Sequence, residues 1–112
     1  LDKGGAGEVI SLAIYGWFFE QFTSKQGLEY VDNGNGREAA ASAVAFDANG
    51  SGLNILNAWK DLYDKGFAPN VGRGGDAGLA DFSSGKSAMT LGSTASLKQI
   101  LNDVNGKFEV GT

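Results

Sequence analysis

The longest apolar run in the chain is VISLAIYGWFF, from Val9 to Phe19. Val9, Ile10, Ala13, Ile14, Trp17, Phe18 and Phe22 recur at helical spacing, with Tyr15 and Phe19 on other faces. The spacing predicts a helix from about Glu8 to Gln26, closed by Gly27 on its C-terminal side. Five of the chain's twelve aromatic residues lie between Tyr15 and Phe22, so such a helix needs cover on more than one side. Leu28–Val31 and Ala43–Phe46 read as two short strands. Between them, Asp32–Gly36 alternates Asn and Gly, residues that tolerate positive φ, and reads as a turn. Asn49 or Ser51 is placed to cap a helix running to Lys65, with Leu53, Leu56, Trp59 and either Leu62 or Tyr63 along one face. Gly66 ends that helix and Pro69 blocks its continuation.

The pattern then repeats at shorter intervals. Val71–Gly75 is loop sequence, and Asp76 is a candidate N-cap for a short helix holding Leu79, Ala80 and Phe82, closed at Gly85. Residues 86–91 alternate towards a strand ending at Leu91. Gly92-Ser93-Thr94 is a tight loop, and Leu97, Ile100, Leu101 and Val104 mark a further helix. Phe108–Val110 has the character of a last strand. Helices alternating with short strands place the chain in the α/β class, with helices packed on a short mixed sheet. No internal repeat or low-complexity linker divides it, so residues 1–112 read as a single domain.

Composition narrows the chemistry. At 42% apolar and 20% charged, the 112 residues suit one globular core. The net charge is −4 and the nine Lys and Arg are scattered, which argues against nucleic acid or an anionic membrane as partner. With no Cys and no His, thiol nucleophiles, Cys/His zinc sites, Ser-His-Asp triads and imidazole acid–base chemistry are excluded. The Val9–Phe19 run is about half the ~20 residues a membrane helix needs. The chain starts at Leu1 and its one Met is Met89, which leads us to expect an excerpt of a longer protein.

Gly85-Lys86-Ser87 looks like the end of a phosphate-binding P-loop. That motif needs a glycine five places before Gly85, where Ala80 stands, and it needs a strand before it and a helix after it. Here the expected order is helix, then Gly-Lys-Ser, then strand. Gly85 is then a helix stop and Lys86 a solvated cation near the negative helix end. Asp47–Gly52 mimics a calcium loop at Asp47, Asn49, Ser51 and Gly52, but the bidentate Glu required at its twelfth position is Ala58. Gly72–Gly78 is glycine-rich without an apolar strand before it, so the dinucleotide fingerprint is not met. Asp76 and Asp81 are five apart, off one helix face, and make no acid–base pair. Neither a catalytic constellation, nor a metal site, nor a cofactor is expected.

Two features remain. Trp17, beside Gly16, offers a flat ring for stacking on a sugar and an indole N–H to donate, although a core role is the commoner use of such a residue. At Gly92–Ser96 a strand ends, small hydroxyl residues follow and a helix begins. Free N–H groups with the Ser93, Thr94 and Ser96 hydroxyls suit ligand oxygens, and N-capping explains the same residues.

The order of these features resembles one family. An aromatic helix with Gly16-Trp17 is followed by LNAWKDLYDKG (Leu56–Gly66), then FSSGKSAM (Phe82–Met89), then GSTASL (Gly92–Leu97). This resembles the extracellular solute-binding proteins of ABC importers, family 1, carbohydrate type, most closely those for glycerol 3-phosphate. The resemblance implies a two-lobe, type II periplasmic-binding-protein-like fold in which this chain is the central part of the C-terminal lobe. It implies capture of a sugar or glycerol-phosphate compound in the cleft between lobes, delivery to a membrane permease, and an extracytoplasmic, lipid-anchored or periplasmic location. By the family pattern Trp17 stacks on ligand while Ser93 and Thr94 bond its oxygens. Gly92-Ser93-Thr94 departs from the glycerol-phosphate pattern, which leaves the solute open. An isolated lobe segment is also expected to self-associate through apolar surface. The alternative classes are a free-standing α/β phosphate-handling enzyme domain and a protein–protein interaction domain.

Overall fold

A computed structural model describes residues 7–74 and 76–112. Gly75, part of the glycine-rich loop, lies outside the described residues. The chain is mixed α/β. It divides into two compact units: one holds the chain up to Ile14 together with Tyr63 onward, and the other is Tyr15–Leu62.

The first unit is built on a two-stranded parallel sheet. Strand β1, Glu8–Ser11, pairs with the strand at Ser87–Thr90, with Glu8 opposite Ser87 and Ile10 opposite Met89. Glu8–Ser11 is therefore strand and not the start of a helix. Val9 and Ile10 are β-branched, which suits extended backbone. Burial alternates, leaving Val9 and Ser11 buried with Glu8 and Ile10 between exposed and buried. Buried Ser11 is tolerable because its Oγ donates to the Gly78 carbonyl at 2.6 Å and lies 2.7 Å from Ser87 Oγ. The Val9 and Ile10 N–H groups both donate to the Phe67 carbonyl, which covers the outer edge of β1.

Helix α1, Gly16–Lys25, belongs to the second unit, so the apolar run splits between two cores. Val9, Leu12 and Ala13 are buried in the first and Phe18 in the second. The run's unbroken apolarity thus serves two cores in succession. Gly27, at φ +72°, ends α1 as expected, and its N–H bonds Ser24. The two short strands expected around residue 37 reduce to one antiparallel bridge between Val31 and Val44. Between them, the one-turn element α2, Asp32–Gly36, runs through left-handed backbone at Asn33, Gly34 and Asn35. Asn35 Oδ1 holds the turn by accepting the Tyr30 and Val31 N–H groups.

Helix α3, Ser51–Asp64, buries Ile55 and Trp59. Of the expected face it buries Trp59 but not Leu53, 64% exposed, or Leu56, 53% exposed. The reason is the aromatic cluster it meets. Trp59 packs on Phe19 and Phe22, and Gly52 sits so close to Phe46 and Phe19 that an added Cβ would lie 3.1 Å from the Phe46 ring. Those contacts fix the rotation of the helix by shape, and the leucines fall outside. Gly66 stops the helix end, its N–H bonding the Tyr63 carbonyl.

In the first unit, helix α4, Ala77–Ser83, packs on both strands and on helix α5, Leu97–Val104. Asp76 precedes α4 but makes no side-chain cap. Strand β2, Ser87–Thr90, follows, and then a 3-10 turn at Thr94–Ser96 leads into α5. Leu79, Ile100 and Val104 form the core, covered by Phe82, Phe108 and Val110. Phe108–Val110 is not a strand. It serves as a lid on this core, with Phe108 edge-on to Phe82 at 5.6 Å. Among the described residues no helix is long and apolar enough to cross a membrane.

Candidate functional site

Gly85-Lys86-Ser87 lies where the reversed element order requires. Gly85, at φ +81°, closes α4, and Ser87 begins β2. Lys86 Nζ is 3.3 Å from Asp81 Oδ1, its side chain 70% exposed. Lys86 is well solvated and the Asp81 side chain is 23% exposed, so this pair at the surface contributes little to stability. The calcium-like residues are engaged with backbone: Asp47 Oδ1 accepts the Ala48 N–H, and Asn49 accepts the Ser51 N–H and donates to the Glu29 carbonyl. Among the described residues no group of three or more acidic, His or Cys side chains converges to hold a metal.

The first unit contains an open groove of about 940 Å³ that runs along β2, from Gly85 to the Gly92–Thr94 turn past its C-terminal end. In open α/β sheets, ligands sit at that end of the strands. Ser93 and Thr94 line the groove together with Gly92. Ser93 Oγ accepts the Ala95 N–H at 3.2 Å and so caps the 3-10 turn. Capping leaves the hydroxyl proton and a second lone pair for another partner. Thr94 is exposed. Ser96 does not line the groove and makes no side-chain cap for α5. Gly92 packs close to Leu79: an added Cβ would lie 3.2 Å from Leu79 Cδ2, which would have to give by a few tenths of an ångström.

The rest of the lining was not foreseen in the sequence. Phe82, Met89, Leu91 and Leu97 provide an apolar floor, and Phe108–Thr112 forms a wall. Met89 is 46% exposed and Leu91 40% exposed, so the outer part of β2 presents apolar side chains to the groove instead of a covering element. The available signal was a strand carrying Met89 and Leu91 directly ahead of a hydroxyl-rich turn. Among the described residues Glu109 is the one charged side chain in the lining. Two groups with displaced pKa values lie elsewhere: Ser42's hydrogen bonds hold Asp32 low, and burial pushes Tyr63 up.

Trp17 is the second residue of α1, in the other unit. It is 41% exposed, with the Tyr15 ring stacked at 6.3 Å and Phe18 edge-on at 5.0 Å. Space around Gly16 is open, with nothing within 4 Å of an added Cβ. Ser93 and Thr94 are thus brought together on one groove, while Trp17 is a partly exposed ring on the second unit.

No protein-family model, no curated protein and no solved structure matches the chain.

Proposed function

We propose that the chain is part of one lobe of a type II periplasmic-binding-protein-like solute-binding protein, the capture component of an ABC importer of the family 1 carbohydrate type. The observation that carries this reading is the hydroxyl-bearing turn Gly92–Thr94, set at the C-terminal end of a parallel strand and opening on a groove with an apolar floor. Pyranose rings need both parts: an apolar surface for their C–H faces and hydroxyl or amide groups for their oxygens. Trp17 supplies a further exposed ring of the type that stacks on sugars.

The groove favours a neutral sugar over a glycerol phosphate. Among the described residues its lining contains Glu109 and no Lys or Arg, so there a phosphate dianion would meet a carboxylate without a compensating cation. The mechanism is capture, not bond-making. Contacts to two lobes stabilise a closed state, and closure presents the solute to the permease outside the cytoplasm. One lobe supplies part of those contacts, so affinity of this chain alone is weak, on the order of millimolar.

Equilibrium titration of the 112-residue chain with a panel of neutral sugars and with glycerol 3-phosphate tests the proposal. Saturable millimolar binding of a neutral sugar, weakened in Ser93→Ala and Thr94→Val, is the expected result. Preference for glycerol 3-phosphate, or binding indifferent to both substitutions, overturns it. Turnover of a phosphate ester would favour the enzyme class instead.

A further inference from the structure

Four Asn–Gly pairs occur in the chain: Asn33–Gly34, Asn35–Gly36, Asn49–Gly50 and Asn105–Gly106. This dipeptide is chemically labile because glycine leaves its backbone nitrogen unhindered for attack on the neighbouring amide carbon. The fold treats the four pairs differently. Asn33 Nδ2 donates to the Ala40 carbonyl at 2.8 Å. Asn35 Oδ1 accepts two backbone N–H groups, from Tyr30 at 2.7 Å and Val31 at 3.1 Å. Asn49 is held at both ends of its amide, by the Ser51 N–H and the Glu29 carbonyl. The Asn105 side chain makes no hydrogen bond among the described residues, and both Asn105 and Gly106 are exposed.

Space around the attacking nitrogen differs as well. An added Cβ at Gly34 would meet the Glu38 side chain at 3.2 Å, whereas at Gly106 it would meet nothing within 4 Å. Gly50 is equally open, but its Asn49 partner is the doubly held one. Asn105 ends α5 in left-handed backbone, φ +49°, held by one bond from its N–H to the Leu101 carbonyl at 3.1 Å. A helix end is where backbone opens at least cost, so the rotation needed for attack is easiest there.

We propose that Asn105 is the chain's site of spontaneous covalent modification, converting to aspartate and isoaspartate while the other three Asn–Gly pairs are protected by the fold. The Gly106 nitrogen loses its proton to solvent base and bonds to Asn105 Cγ. The Cγ–Nδ2 bond breaks, and Nδ2 leaves as ammonia after taking a proton from water. The resulting cyclic imide is opened by water at either carbonyl, so the net exchange is one water for one ammonia. The product has consequences at the groove. A carboxylate at the C-terminal end of α5 opposes the negative end of the helix dipole. Isoaspartate also adds a methylene to the main chain three residues before Phe108, which with Val110 covers the core and walls the groove.

Peptide mapping by mass spectrometry over a time course in mildly alkaline buffer tests this, run on the folded chain and in denaturant. The ratio of folded to denatured rate removes the effect of local sequence at each pair. The expected result is a ratio near unity at Asn105 and ratios several-fold lower at Asn33, Asn35 and Asn49. A ratio at Asn105 equal to or below that of any other pair overturns the assignment. In Asn105→Gly, which retains a residue suited to left-handed backbone, the first acidic species seen by ion exchange is expected to disappear. Its persistence would equally overturn the proposal.

Discussion

Gly78→Ala is the sharpest probe of how the first unit is held together. Gly78 is the second residue of α4, and a Cβ added there would lie 2.9 Å from the Ser11 carbonyl oxygen, 3.2 Å from its carbon and 3.3 Å from Thr90 Oγ1. Two of the three obstacles are backbone of strand β1, so no side-chain rotation relieves them. Overpacking of this kind costs about 1–3 kcal/mol. Pushing α4 outward also stretches the 2.6 Å bond from Ser11 Oγ to the Gly78 carbonyl, a further loss of about 1 kcal/mol. Against this, alanine gains up to about 1 kcal/mol of helix propensity over glycine, less near a helix end. The balance is a net destabilisation of about 1–3 kcal/mol, a fall in melting temperature of roughly 4–13 °C for a chain of this size. Thermal and urea unfolding followed by circular dichroism measure it. Gly16→Ala is the control: a Cβ there meets nothing within 4 Å, and its effect should stay within about 0.5 kcal/mol. A Gly78→Ala protein as stable as the parent would refute the close approach of α4 to β1.

Two further outcomes follow from other parts of the molecule. The Ser42 hydroxyl, and then its backbone N–H, hold the exposed Asp32 carboxyl below the ordinary value of 3.8. A depressed folded pKa contributes stability above the unfolded value and loses it as pH falls through the folded one, so the effect lies below about pH 4. In Ser42→Ala the Asp32 titration, read from its carboxyl carbon by NMR, should move up towards 3.8, and an unmoved curve would contradict the bond. Leu53 and Leu56 lie on one side of α3, 64% and 53% exposed, so self-association by sedimentation velocity should fall in Leu53→Lys/Leu56→Glu. Unchanged association would place the contact elsewhere.

Local chemistry was the legible part of the sequence. The Asn and Gly residues of Asp32–Gly36 do take positive φ, Gly27, Gly66 and Gly85 do close helices, and the strand before Gly92 is present. Each depends on a few neighbouring residues. The misreadings share a non-local cause. Glu8–Ser11 fits a helical period, yet it is a strand because Ser87–Thr90, far along the chain, offers it a parallel partner. Leu53 and Leu56 were expected beside Trp59 on the buried face of α3, but with Trp59 packed on Phe19 and Phe22 it is Ile55 that is buried with it and the leucines that are exposed. Phe108–Val110 alternates like a strand and covers a helix–helix core instead. At the candidate site the hydroxyl turn was readable and the apolar groove beside it was not. Its floor comes from Phe82, Met89, Leu91 and Leu97, and its wall from Phe108–Thr112, which come together only in the folded unit.

The central claim is that solute is captured at the Gly92–Thr94 turn, and residue-resolved NMR during a sugar titration tests it most directly. The account expects the amide signals of Gly92, Ser93 and Thr94 to shift together, saturably and at millimolar concentration, with Phe108–Val110 following because they wall the same groove. A neutral sugar that leaves those amides unmoved up to its solubility limit, or one that binds with all its shifts elsewhere, would contradict it.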